Sequence, residues 1–149
     1  MEKINPTKVV VCCDGRISSP NLKKSLIQGL KESGLEVFDI GLGPSPMLYF
    51  SVYQLHCDFG VMITGSHNPA NYNGFKISLS NGKPFYDQDI QNLAKVAKKG
   101  DFIKKTGIVR EINIKEDYIS RIMQDSSLAI ESKFLDEVDQ LPDKNKFKI

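Results

Sequence analysis

Apolar residues along this chain fall into two alternating rhythms. Lys8-Val9-Val10-Val11-Cys12-Cys13 is a short, nearly continuous apolar run, the pattern of a strand covered on both faces. Ser19-Pro20 predicts a helix start, with Ser19 as N-cap. Leu22, Leu26, Ile27 and Leu30 follow at helical spacing, up to a stop at Gly34. Leu35 to Ile40 reads as a second strand and Gly41-Leu42-Gly43-Pro44 as a turn. Ser45-Pro46 then caps a helix from Met47 to about His56. Phe59 to Ile63 completes a βαβαβ pattern, which implies parallel strands with helices on the faces of the sheet.

A polar loop, Thr64 to Gly74, separates this pattern from an alternating strand, Phe75 to Leu79, and an Asn81-Gly82 turn. Asp87 is predicted to cap a helix with Ile90, Leu93, Ala94 and Ala97 on one face. Ile108 to Ile114 reads as an edge strand, and Lys115 to about Leu128 as a helix using Tyr118, Ile119 and Ile122. Near the C-terminus, Phe134, Leu135, Val138 and Leu141 make an apolar stripe on a charged stretch. That stripe is expected to be poorly ordered in a monomer, or buried against a second copy or another polypeptide.

Composition narrows the class. The chain has 149 residues, 40% hydrophobic and 26% charged, enough apolar content to form a core rather than a disordered tail. Twenty Lys and Arg oppose 18 Asp and Glu, and neither half carries the basic excess that a nucleic-acid footprint or membrane-surface helix needs. The longest apolar run, Val9 to Cys13, is far short of the ~20 residues of a membrane span. The first residues lack the apolar core of a signal peptide. The expectation is a cytoplasmic protein with no nucleic-acid or membrane partner. Cys12, Cys13 and Cys57 fit neither a disulfide framework nor a zinc site. They read as buried thiols in a reducing compartment, the alternative being a reactive thiol where the first strand ends.

Ligands of an open parallel sheet gather beyond the carboxyl ends of its strands. Three loops fall there: Asp14 to Ser19, Gly41 to Ser45, and Thr64 to Gly74. In the third, Gly65 permits a tight turn that lifts Ser66 clear of the strand, with His67 and Asn68 beside it. Pro69 stiffens the far side, and Asn73-Gly74 returns the chain so that Lys76 approaches the same mouth. An exposed serine among His, Lys and Arg suits a phosphoryl acceptor, because cations offset the dianion. The competing reading is a glycine-rich turn whose Ser and Asn satisfy backbone groups, and the residues alone leave both open. A hydrolase triad fits poorly. Adjacent Ser66 and His67 are expected to point apart, the other histidine is His56, and no Gly-x-Ser-x-Gly elbow is present. Ser18, Ser19 and Ser45 read as turn or capping residues with hydroxyls on backbone groups. No Asp, His or Cys cluster has metal-ligand spacing.

Ile63-Thr64-Gly65-Ser66-His67-Asn68-Pro69, followed by Tyr72-Asn73-Gly74-Phe75-Lys76, resembles the active-site segment of the α-D-phosphohexomutases, in their phosphomannomutase/phosphoglucomutase branch. Asp14-Gly15-Arg16 with Ser18-Ser19-Pro20 is similar to that family's first strand and helix start. Gly41-Leu42-Gly43-Pro44-Ser45-Pro46 is similar to its Gly-x-x-Pro-Thr-Pro turn. The resemblance, over about residues 8 to 125, implies a three-layer α/β/α domain with a mixed, mostly parallel sheet. It implies that Ser66 carries a phosphoryl group between hexose phosphates through a hexose bisphosphate. His67 would lie beside that phosphate, and Lys76 would act as acid/base or charge-stabilising group. Arg16 and Asn68 would bind substrate phosphate or support the loop. The family also uses Mg2+, which Ser66 would touch only through its phosphate.

Departures accompany the match. Cys12-Cys13-Asp14-Gly15-Arg16 stands where the family has Gly-Arg-Asp-x-Arg, so one arginine is a cysteine. Only seven residues precede Lys8, where the family has an opening strand, helix and arginine. The family's Asp-Gly-Asp-x-Asp magnesium loop, its sugar-recognition loop and its C-terminal phosphate loop do not occur here. The expectation is therefore an incomplete first domain over residues 1–132, then a linker and the start of a second domain over 133–149. Such a chain is expected to be inactive alone. It would be half of a split enzyme completed by a second polypeptide, or a non-catalytic remnant or interaction module.

Overall fold

A computed structural model describes residues 6–80 and 82–129. Five strands and four helices follow in the order β1 (Lys8–Cys13), α1 (Ser19–Glu32), β2 (Glu36–Leu42), α2 (Ser45–Gln54), β3 (Phe59–Ile63), β4 (Phe75–Leu79), α3 (Gln88–Lys99), β5 (Ile108–Glu111) and α4 (Lys115–Ala129). The sheet order is β4-β3-β1-β2-β5. β1 runs parallel to both β2 and β3, and β2 to β5, while β4 returns antiparallel along β3. The sheet is thus mixed and mostly parallel, as expected.

The apolar run of β1 is explained by its central place. Val9, Val11 and Cys13 join Val37, Val61 and Ile63 in a core packed by Leu22, Leu26, Ile27 and Leu30 of α1. On the other face, α2 buries Met47, Leu48 and Val52. Gly60 makes this approach possible: a Cβ there would lie 2.5 Å from Val52 and 3.2 Å from Leu48. Helix α1 stops where the sequence predicts, with Gly34 at φ +89 and its N–H on the Lys31 carbonyl. The Gly82 turn closes through Leu79, with Gly82 at φ +74.

Several local expectations are corrected. Ser18, not Ser19, holds the N-cap position of α1, and Pro44 holds that of α2; neither helix has a side-chain cap. β2 extends to Leu42 and absorbs the start of the predicted turn, because its ladder with β1 continues past an irregularity to pair Cys13 with Leu42. β5 is the predicted edge strand but ends at Glu111, with all four residues exposed. Asp87 precedes α3 without capping it through its side chain. α3 buries no residue, leaving Ile90, Leu93 and Val96 about half exposed.

The chain divides into two compact units after Ile114. In the second unit, the described helix α4 begins with Glu116 and Asp117, which suit the positive end of its dipole, and carries an Arg121–Asp125 ion pair one turn apart. The predicted boundary at 132/133 and the Phe134 to Leu141 stripe lie outside the described residues.

Candidate active site

β1 and β3 are neighbours, so the loops that leave their carboxyl ends start side by side. The Asp14 N–H donates to the Ile63 carbonyl at 3.0 Å, extending the ladder into both loops. The Thr64–Gly74 loop closes at its base through Thr64 N–H to Gly74 O, 3.0 Å. Within it, Asn68 N–H reaches Gly65 O and Tyr72 N–H reaches Pro69 O, each at 3.0 Å, making two successive turns.

Arg16 ties these turns together. Its Nε donates to Asp14 Oδ2 at 3.0 Å, one terminal nitrogen to Pro69 O and Tyr72 O at 2.6 and 2.9 Å, and the other to Ser66 O and Asn68 O at 2.9 and 2.8 Å. These five bonds use all five guanidinium N–H groups. The loop-supporting role foreseen for Arg16 therefore has a geometry, whereas the phosphate-binding role has no donor left in this arrangement. Gly65 is required beside it: a Cβ would lie 2.5 Å from Arg16 Cζ and 2.6 Å from the Tyr72 carbonyl.

Ser66 sits exposed at the tip, with φ +53, in the left-handed region that costs a residue with a Cβ roughly 1–2 kcal/mol. The Ser66 N–H donates to Thr64 Oγ1 at 2.9 Å, while its carbonyl is held by Arg16. This conformation overturns the expectation that Ser66 and His67 point apart. Ser66 Oγ lies 3.1 Å from His67 Nδ1, so the hydroxyl faces an imidazole nitrogen rather than a backbone group.

Asp14 is the anchor underneath. It accepts from Ser19 Oγ at 2.7 Å and from the Arg16 N–H and Nε, and the Thr64 hydroxyl also favours its charged form. Burial raises its pKa, but these hydrogen bonds outweigh burial and hold it below the ordinary carboxylate value. Asn73 Nδ2 donates to both Ser18 Oγ and Ser19 Oγ at 2.9 Å, and Asn73 Oδ1 accepts the Gly74 N–H. The Ser18 and Ser19 hydroxyls thus serve side chains, not the helix backbone as expected. Their order reflects contacts more than fifty residues away in sequence, which no local pattern announces. Thr64 and Asn73 are the members that sequence reasoning missed, although both lie inside the recognised segment.

Lys76 is not drawn to this mouth. Its Nζ lies over the Tyr49 ring, 5.3 Å from the centroid, in an open groove with Val52, Tyr53 and Ser78 between α2 and β4. Asn68 borders a shallow recess with Asp14, Gly15, Arg16 and Ile17. The second candidate loop is tied to β1 instead, through Gly43 N–H to Cys13 O. Cys12, Cys13 and Cys57 are free and buried, and burial pushes Cys12 up to about 12 and Cys57 to about 11. Their burial agrees with the first reading of these thiols.

Among the described residues no three His, Cys, Asp or Glu side chains form a metal cage. Asp14, the carboxylate beside the loop, is committed to three hydrogen bonds. Mg2+ does not fit these residues as a protein-held ion. Among the described residues no helix is long and apolar enough to cross a membrane.

A mixed, mostly parallel sheet with a strained, exposed serine beyond its central strands defines an α/β domain built around one loop. The family model for phosphoglucomutase/phosphomannomutase, alpha/beta/alpha domain I, matches residues 1–104, and the chain belongs to this family. The phosphomannomutase/phosphoglucomutase of Pseudomonas aeruginosa is 42% identical over 121 residues, covering 81% of this chain and 26% of that protein. The phosphomannomutase of Escherichia coli is 35% identical over 127 residues, covering 82% and 28%. A crystal structure of a phosphoglucomutase/phosphomannomutase family protein from Burkholderia thailandensis superposes with a TM-score of 0.73 at 35% identity, covering 80% of this chain and 28% of that one. The chain spans about a quarter of the length of the curated relatives it matches.

Proposed function

We propose that this chain supplies the phosphoserine side of a phosphohexomutase, with Ser66 as the residue that gives and takes the phosphoryl group. The observation that carries this reading is the Ser66 hydroxyl, exposed at a strained turn and 3.1 Å from His67 Nδ1. When phospho-Ser66 gives its group to a hexose phosphate, the P–Oγ bond breaks and a P–O bond to a sugar hydroxyl forms. Oγ gains a proton and the sugar hydroxyl loses one: His67 supplies the first, the second passes to water, and in the reverse transfer both return. Asn68 N–H and Tyr72 N–H hold the turn, and Arg16 fixes its backbone without spending charge on the phosphate. Lys76 has no step in this reading while its ammonium rests on Tyr49. Mg2+ would offset phosphoryl charge, as the family implies, with ligands other than the residues described; no step here depends on it.

The substrates are hexose phosphates and a hexose bisphosphate, and the remaining cleft comes from another domain or polypeptide. The test is incubation of the chain with glucose 1,6-bisphosphate, followed by peptide mass mapping. One phosphoryl group on Ser66, lost in Ser66→Ala, is expected. Label on another serine with Ser66 unmodified refutes the assignment. The chain, whose matched stretch covers about a quarter of those relatives, is not expected to interconvert mannose or glucose phosphates by itself.

A further inference from the structure

We infer that Thr64 is a positioning residue for Ser66, acting through its hydroxyl. The inference rests on the reading of Ser66 as the phosphoryl-carrying residue. Donor and acceptor accounting fixes the direction of the bond. An amide N–H only donates, so at 2.9 Å the Ser66 N–H must be accepted by Thr64 Oγ1. The hydroxyl's proton is then free for the side of Asp14, whose pKa the Thr64 hydroxyl helps to lower. Asp14 itself is fixed by Ser19 Oγ at 2.7 Å and by the Arg16 backbone N–H and Nε. Thr64 therefore stands between the anchored Asp14 carboxylate on the β1 loop and the amide of the serine on the β3 loop.

The Thr64 bond matters because of where it acts. Arg16 holds the Ser66 carbonyl, and Thr64 holds the Ser66 N–H, so the peptide units on both sides of Ser66 are pinned. Together they keep φ at +53, the conformation that turns Oγ toward His67 Nδ1. Without the Thr64 hydroxyl, the Ser66 amide has no partner in the loop, and the ordinary negative-φ conformations become competitive. The Thr64 N–H on Gly74 O is a separate backbone bond that any residue would make. The positioning role thus belongs to the hydroxyl, not to the strand end.

Amide exchange of the full chain, followed residue by residue by NMR with the ring nitrogens of His67, tests this independently of any phosphorylation. In Thr64→Val, Ser66 amide exchange should rise about tenfold and the His67 ring shifts should move, while the amides of Val11 and Val61 keep their protection. Thr64→Ser, which restores the hydroxyl, should return both readings to wild type. Unchanged Ser66 exchange in a folded Thr64→Val chain overturns the inference. So does a Thr64→Ser chain that behaves like Thr64→Val, because packing rather than the hydroxyl would then be responsible. Should Thr64→Val lose protection in β1 and β3, Thr64→Ala carries the same expectation. Unfolding of both would assign Thr64 to the fold and refute the role at Ser66.

Discussion

Replacing Arg16 with alanine removes four bonds to loop carbonyls at once, those on Ser66, Asn68, Pro69 and Tyr72. The side chain is 14% exposed, so water does not replace these bonds in the native packing. At roughly 0.5–1 kcal/mol net for each, the loop loses about 2–4 kcal/mol of order. Each 1.4 kcal/mol is a factor of ten, so loop amides should exchange about 30- to 1,000-fold faster. The amides to follow are Asn68 and Tyr72, whose partners lie within the loop itself. Lysine at position 16 keeps the charge but gathers its three donors at one point, and should recover less than half of the lost protection. The melting temperature should fall less than the loop measurement implies, because the loop can open without the sheet. Wild-type exchange at Asn68 and Tyr72 in Arg16→Ala, with β1 and β3 intact, would refute the argument that this guanidinium holds the turn.

Gly65→Ala should cost about 1–3 kcal/mol in a denaturant melt, since the added methyl meets the Tyr72 carbonyl at 2.6 Å and neither turn can yield freely. Native protein should leave a chromogenic disulfide reagent unconsumed at about pH 8, with all three thiols reacting after denaturation, because burial raises Cys12 to about 12 and Cys57 to about 11. Asp14 and Asp58 are both buried enough to be pushed up, yet hydrogen bonds from Ser19, Thr64 and Arg16 in one case, and from Thr7 and Lys8 in the other, hold them below 3.8. Their stabilisation is present above the unfolded value and lost as pH falls through the lowered folded value, so acid unfolding should set in below about pH 4 and flatten in Asp14→Asn and Asp58→Asn.

The sheet was legible because its signals are local. Val9 to Cys13 could be assigned to a two-sided strand from its composition, and Gly34 to a helix end from its freedom at positive φ. The Ser66 loop was legible from its motif. What escaped was every feature that depends on long-range partners. The contact between Ser66 and His67 needs a positive φ at a serine, which spacing does not encode. The Lys76 side chain was assigned to the loop mouth because its strand begins there, but Tyr49, on a different helix, offers its ring face to the ammonium. The Ser19 hydroxyl looked like a cap because capping is the commonest local use of such a residue, and Asp14 and Asn73 claim it instead.

The bond from Asp14 N–H to Ile63 O also has a consequence for how the chain reaches its native state. Arg16's loop bonds span 53, 56, 50 and 52 residues of sequence, and β1 meets β3 only after β2 and α2 have been made. The site therefore cannot form early during synthesis, when only β1 and α1 have left the ribosome. It requires β1–β3 pairing, and a one-residue slip in that pairing would turn the side chains of β3 to the wrong faces and carry Ser66 away from Arg16. Loop-closure entropy grows only slowly with chain length, so the delay costs little stability. It makes an ordered Ser66 turn a late marker of correctly registered folding.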